Sequence, residues 1–321
     1  MGVPMHKLTR AVGALALLAA SCAPASLVPS SSRVRIVAPV LDRPITESLP
    51  VGGEPSDPVQ QAVFAQINAD RIGHGVAAVA WDEGAARVAE AFTRAQVAEK
   101  TRGHFLTDGL PPYARMALAG AFGRGAENSI SWVTAGATFR EPAVTLALEG
   151  HKQMMDEKPP DDGHRRTILD PDATHVGVGW SMGGGRFQLA QEFSTRRIES
   201  LTLEKRGDDV VRIFARSQQG WTVEFATVSH EPRLRLTREQ ATARNSYRYA
   251  SPVLSLVPEG SSSTVSISGA PAHARIRRYS ERDFSALFGP DRPGIWTIVF
   301  YFSARTTIDA VPGACVVVEA E

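Results

Sequence analysis

The sequence is poor in cysteine, with 2 in 321 residues, which excludes a small fold stapled by disulfides. It also lacks an excess of either charge. Its 35 Lys plus Arg face 34 Asp plus Glu, a formal net charge of +1, so no global field draws it to nucleic acid or to an acidic polymer. No nucleic-acid partner is expected; only a local basic patch remains open. The most basic run, Arg275-Ile276-Arg277-Arg278, has Tyr279 and Asp283 nearby and reads as a solvated strand face. Long apolar runs are missing too. The stretch Ala11 to Ala20 is too short for a stable membrane span. No phosphate-binding loop, dinucleotide fingerprint or Cys-x-x-Cys occurs, which removes the commonest NTPase, oxidoreductase and zinc-ribbon readings. What is present, 43% hydrophobic residues over 321 positions, suffices for two domains with cores of their own.

Where the two cysteines lie matters more than their number. Residues 1–22 read as a signal peptide: His6, Lys7 and Arg10 precede the apolar stretch, and Ala19-Ala20-Ser21-Cys22 resembles a bacterial lipobox. Cys22 is then the lipidated first residue of the mature chain, which makes a membrane the first expected partner and the cell envelope the expected location. The alternative is an ordinary signal peptide cut near Ala25, with the product secreted. Cys315, in the run Ala314-Cys315-Val316-Val317-Val318, reads as a buried small hydrophobe.

Residues 23–55, rich in Pro, Ser and Val without periodicity, are expected to be a disordered tether. Helices follow. One opens at Asp57-Pro58 and stops by Gly73; a second begins after Trp81-Asp82 and ends at Gly103; a short third covers Tyr113 to Ala121. A fourth, from Glu141-Pro142, carries Val144, Leu148, His151 and Met155 on one stripe and breaks at Pro159-Pro160. From His175 the period becomes two, and His175–Trp180 and Arg186–Phe193 around Gly183-Gly184-Gly185 form a hairpin. Residues 56–196 are therefore an α+β domain. Residues 197–321 carry short strands at Val210–Ala215, Trp221–Val228, Val253–Val257, Ser263–Ser268 and Ile295–Phe302, the pattern of an all-β sandwich.

Polar residues of the first domain gather at three element boundaries: Gly103-His104, Glu127-Asn128 after Gly123-Arg124-Gly125, and a loop Gly163-His164-Arg165-Arg166-Thr167-Ile168-Leu169. Taken with Asn68-Ala69-Asp70-Arg71, Trp81-Asp82, Ala89, Arg115, Asp170-Pro171, His175-Val176-Gly177-Val178-Gly179 and Gln191-Glu192-Phe193, they resemble the bacterial branch of the CAP superfamily. That superfamily includes cysteine-rich secretory proteins, antigen-five venom allergens and plant pathogenesis-related proteins, and domains of this kind are also called SCP-like. The resemblance covers residues 57–195 and implies an α-β-α sandwich. It further implies a central cleft lined by two His and two acids, in which the His pair binds a divalent metal such as zinc in some members. Carried over, the metal ligands are His104 and His164, and the first acid is Glu127. The second acid is best matched by Glu157, with Asp156 and Glu149 behind it. Thr167 replaces the family's usual Asn, and Pro159 to Asp162 lengthens the loop, so the shape of the cleft is expected to differ.

Of the other polar residues, His151 reads as a core histidine and His175 as structural. Strand alternation lets only one of Gln191 and Glu192 face the cleft. Two readings stay open. In the first, an envelope-anchored domain binds a small apolar molecule, a cell-wall component or a protein. In the second, a metal on His104 and His164 activates water, with Glu127 or Glu157 as catalytic base, to cleave a peptide or glycan.

Overall fold

The computed structural model describes residues 34–39, 45–48, 52–261, 272–304 and 309–321. The signal peptide with Cys22, most of the expected tether and the expected strand Ser263–Ser268 lie outside these residues. Two strands, β1 (Ile36–Ala38) and β2 (Ile45–Ser48), precede the helical domain. They fall within the segment expected to be an unstructured tether, and both are paired. Each is three or four residues long and adds to a sheet edge through its backbone, which demands no side-chain periodicity and leaves none to read.

Helix α1 (Pro58–Gly73) starts where Asp57 caps it, its carboxylate accepting from Val59 N at 2.9 Å and Gln60 N at 3.0 Å. After β3 (Ala80–Trp81), α2 (Glu83–Glu99) is capped by Asp82 and ends at Lys100 in the left-handed conformation. Helix α3 (Pro112–Leu118) leads into β4 (Arg124–Val133), a strand without a signal in the sequence because Glu127, Asn128 and Ser129 interrupt its apolar alternation. Helix α4 (Ala143–Asp156) buries Leu146, Ala147, Gly150, His151 and Met154, so the stripe passes beside Leu148 instead of through it. The segment read as a loop around His164 contains a short helix, α5 (Gly163–Ile168); six residues are too few for helical periodicity to register. The hairpin β5 (His175–Gly183) and β6 (Arg186–Thr195) completes this half.

The four-stranded sheet has the order β3-β5-β6-β4, with β4 at an open edge. Its β5 explains the Gly-Val-Gly-Val-Gly alternation. Val176 and Val178 join the buried cluster of Val63, Ile67, Phe187 and Leu189 on the side of α1 and α4. Gly177 and Gly179 face α2 so closely that a Cβ would lie 2.1 Å from Ala86 N and 2.2 Å from the Ala89 carbonyl carbon. Helix α2 thus rests on bare strand backbone, giving the α-β-α layering. The Asn68-x-x-Arg71 motif is structural as well: Asn68 brackets Val79, donating to its carbonyl at 3.1 Å and accepting from its amide at 2.8 Å. Buried Arg71 donates to the carbonyls of Ile168, Asp170 and Ala173, holding the C-terminal end of α5.

The second half comprises β7 (Ile198–Lys205), β8 (Val211–Ser217), β9 (Trp221–Glu231), helix α6 (Arg238–Ala243), β10 (Pro252–Pro258), β11 (Ala272–Arg278), β12 (Asp283–Phe288), β13 (Gly294–Ala304) and β14 (Val311–Ala320). With the two N-terminal strands they form one ten-stranded sheet in the order β1-β14-β13-β9-β10-β11-β12-β8-β7-β2. The sheet folds over itself. Phe284 of β12 meets Phe300 of β13 at 5.5 Å between ring centroids, and Phe288 meets Trp296 at 5.4 Å, although three strands separate β12 from β13 in the order. One apolar core fills the fold between the facing halves, as in a sandwich. Pairing of β1 and β2 at its two edges means that residues 34–48 help build the C-terminal half.

The two halves share a second apolar cluster. Tyr113, Ala114 and Ala117 of α3 pack on Ile295, Val299, Cys315 and Val317 of β13 and β14. Cys315 is free and fully buried there, and burial pushes its thiol up to about 12. Residues 34–321 accordingly form one compact unit.

Because a methyl at position 179 would meet the backbone of α2, Gly179→Ala should destabilise the chain by about 3 kcal/mol or more, at the upper end of overpacking costs. Chemical denaturation of the variant tests this, and a loss below about 1 kcal/mol would mean that α2 does not rest on β5 as described.

Candidate functional site

His104 sits in the turn after α2, which is held by its backbone. The Gly103 carbonyl accepts from Gln96 Nε2 at 2.8 Å and from Ser129 Oγ at 2.9 Å, and Gly103 has φ of 79°. The His104 carbonyl accepts from Arg115 of α3 at 2.9 Å. His104 is 7% exposed, and its Nδ1 lies 2.8 Å from Glu127 Oε1. The other Glu127 oxygen pairs with Arg115, whose guanidinium also lies over the Phe92 ring at 3.9 Å. Burial alone would raise the Glu127 carboxyl; Arg115 and the His104 bond outweigh it and hold the group below its ordinary value.

Glu127 has a second acid beside it. The register of β4 and β6 sets Glu127 opposite Glu192, and both are buried. Burial, reinforced by the Glu127 carboxylate, raises the Glu192 carboxyl well above its ordinary value. Gln191 points to the other face, where its Nε2 donates to His151 Nδ1 at 3.0 Å. His151 Nε2 lies 2.9 Å from Asp70 Oδ2, a buried histidine with both nitrogens satisfied. His175 is buried at the start of β5, and burial together with Arg196 lowers it to about 4, a neutral structural residue at ordinary pH.

His164 lies in the first turn of α5. Its Nδ1 pairs with Glu157 Oε1, and its backbone amide donates to Glu157 Oε2 at 2.9 Å. The neighbouring strand supports it, with Asn128 Nδ2 donating to the His164 carbonyl at 3.0 Å. The rings of His104 and His164 are 6.1 Å apart between centroids, tilted by 38°. The four residues named for the cleft thus form two carboxylate–imidazole pairs, each taking an Nδ1 and leaving an Nε2 as the ring nitrogen for a ligand. Asp156 pairs instead with Lys152, and Glu149 with Gln153, both on exposed helix surface. Among the described residues no group of three His, Cys, Asp and Glu side chains converges as a metal-binding set.

The remaining wall comes from a part of the chain that sequence reasoning did not connect with the site. Strands β9 and β10 are antiparallel neighbours, yet residues 232–251 between them leave the sheet and cross the helical half. Leu236 N donates to the Thr107 carbonyl at 2.9 Å, and Arg233 donates to the Asp108 carbonyl. The excursion then reaches β4. Tyr247 OH accepts from Glu127 N and donates to Glu127 O at 3.1 Å, while Tyr249 OH makes the same pair with Gly125 N and O, each at 3.1 Å. Two phenols thereby satisfy the open edge of β4 where a further strand would lie. The Tyr247 ring also packs edgewise on His104 at 4.8 Å. A cavity of about 670 Å³ results, lined by His104, Glu127, Glu157 and His164 on one side and by residues 245–249 on another.

With that geometry in place, comparison with known proteins gives the family. Residues 64–193 match the model for CAP, the cysteine-rich secretory protein family. Residues 64–193 are therefore a CAP domain, a segment that takes in the four-stranded sheet and the helices around it. Similar solved structures include an outer surface protein from Borrelia burgdorferi, 14% identical, covering 45% of this chain and 98% of that one with a TM-score of 0.36. An extracellular protein containing an SCP domain from Bacillus anthracis is 20% identical, covering 45% of each chain with a TM-score of 0.33. A venom allergen-like protein from Schistosoma mansoni is 11% identical, covering 43% of this chain and 88% of that one with a TM-score of 0.31. Among curated protein sequences nothing matches. No helix among the described residues is long and apolar enough to cross a membrane.

Arg115→Met should cost about 3–5 kcal/mol, because it strands the buried Glu127 charge. Adding Glu127→Gln should restore part of that loss in denaturant titrations. A double variant no more stable than Arg115→Met would mean that the charge is not what Arg115 compensates.

Proposed function

We propose that the chain is an extracytoplasmic protein, anchored to the cell envelope through lipidated Cys22, whose CAP cleft binds a polar cell-wall component. The observation that carries this reading is the lining of the 670 Å³ cavity: two imidazoles, three carboxylates, three arginines and two phenols surround it. Such a wall offers hydrogen-bonding groups on several sides, which suits a peptide or glycan better than a wholly apolar molecule. The lipobox at Ala19 to Cys22 supports the location, since a lipid anchor holds the domain within reach of the wall.

A second reading, metal-assisted hydrolysis of a peptide or glycan, draws support from the two carboxylate–imidazole pairs. Nε2 of His104 and of His164 would hold a divalent ion such as zinc, with Glu127 and Glu157 fixing the ring orientations. Bound there, the ion would polarise a substrate oxygen or acidify a water. A catalytic base is harder to find. Glu127 is occupied by Arg115 and His104, and Glu157 by His164, so neither carboxylate stands free to take a proton. Binding is the better supported of the two.

Sedimentation of the full chain with isolated, insoluble bacterial cell walls tests the reading. The chain should pellet with the walls and leave them undegraded, and His164→Ala, a half-buried ring, should lower the pelleted fraction several-fold without unfolding. A chain that stays in the supernatant contradicts the binding reading, and release of soluble fragments that His164→Ala abolishes would establish the hydrolytic one.

A further inference from the structure

The charges around the cleft are unevenly placed, and their arrangement points to a ligand. Glu127 is matched by Arg115, and Arg166 by Asp162 at 3.2 Å. Two other arginines line the same cavity, Arg124 and Arg248, and among the described residues neither meets a carboxylate. Arg124, the first residue of β4, is half-buried and lies over the Tyr249 ring at 5.3 Å. That contact orients the guanidinium without neutralising it. Arg248 is carried between Tyr247 and Tyr249, whose hydroxyls are fixed on β4, so its backbone is held in place while its side chain stays exposed. The two lining acids without an arginine or lysine beside them, Glu157 and Asp161, lie at the end of α4 and in the loop after it. The excess on the β4 and excursion side is therefore positive. A guanidinium offers forked donors that suit a two-oxygen anion, and a cavity with low-dielectric walls strengthens the attraction.

We propose that the cleft recognises an anionic group, a carboxylate or a phosphate, through Arg124 of the CAP domain and Arg248 of the β9–β10 excursion. The inference rests on the binding reading above and narrows it: the part of the wall component that enters is acidic, a peptide carboxylate or a phosphate of an anionic polymer. It also gives the C-terminal half a share in selectivity, since one of the two cations belongs to it.

The test titrates the full chain, by calorimetry or amide chemical shifts, with N-acetyl-D-alanyl-D-alanine and its C-terminal amide, and with glycerol 3-phosphate and glycerol. One of the two anions should bind, its neutral counterpart should not, and added salt should weaken the complex. Which anion binds identifies the source. Arg124→Gln with Arg248→Gln should weaken binding at least tenfold while the melting temperature is kept; Arg248→Gln alone, at an exposed position, guards against a folding artefact and should weaken it several-fold. Equal binding of the neutral compounds, no binding of either anion, or full affinity in the double variant would overturn the proposal. Failure of the parent reading looks different: the chain would not pellet with cell walls at all, whatever these probes do.

Discussion

A single buried carboxylate organises the site. Glu127 is 2% exposed, and leaving an ionised carboxylate that deep without partners would cost several kcal/mol. Its needs are met by Arg115 from α3 and by His104 from the turn after α2, two elements that converge on β4. Arg115 repays the contact by donating to the backbone carbonyls of His104 and Leu110, each at 2.9 Å, which fixes the turn that carries His104. On the backbone side, the amide and carbonyl of the same residue are closed by Tyr247. Side chain and main chain of one residue thus tie α3, the His104 turn and the β9–β10 excursion together. Burial and the Glu127 carboxylate raise the Glu192 carboxyl behind it, which disfavours a second negative charge in the arrangement.

This constraint explains why the two halves are not beads on a string. The N-terminal strands β1 and β2 flank the helical domain in sequence order only; in space they complete the edges of the C-terminal sheet. The excursion 232–251 runs the other way, from the sheet across the helical half, and the apolar cluster of α3 with β13 and β14 seals the contact. The cleft that results is composite. A CAP domain without the second half would leave the edge of β4 at Gly125 and Glu127 unpaired and lose the wall against which His104 packs.

How much of this could be read in advance follows from where the constraints are local. The Gly-Val-Gly alternation of β5 was legible because helix-on-strand packing forbids a Cβ at 177 and 179, a demand written in the residues themselves. The pairing of His164 with Glu157 spans seven residues and was within reach of a motif. Strand β4 was not, since its buried residues are polar and are satisfied by partners far along the chain. Helix α5 and the edge strands β1 and β2 are too short to show a period. Tyr247 and Tyr249 stand 120 and 124 positions from their β4 partners, in a segment without periodicity, and no local signal marks them. Alternation did predict that Gln191 and Glu192 would face opposite sides; which of them sits beside Glu127 depends on register with a strand the sequence did not announce.

The dependence of the cleft on the second half can be measured at one backbone amide. In the full chain, hydrogen exchange at Glu127 N–H should be strongly retarded, since its acceptor is the Tyr247 hydroxyl on the otherwise open edge of β4. Tyr247→Phe removes that acceptor and leaves the ring, and protection at Glu127 should fall at least about tenfold, the equivalent of one lost buried hydrogen bond, while the amides of β5 keep theirs. Unchanged protection at Glu127 in Tyr247→Phe would contradict the account, because it would mean that the C-terminal half does not hold the strand on which the site is built.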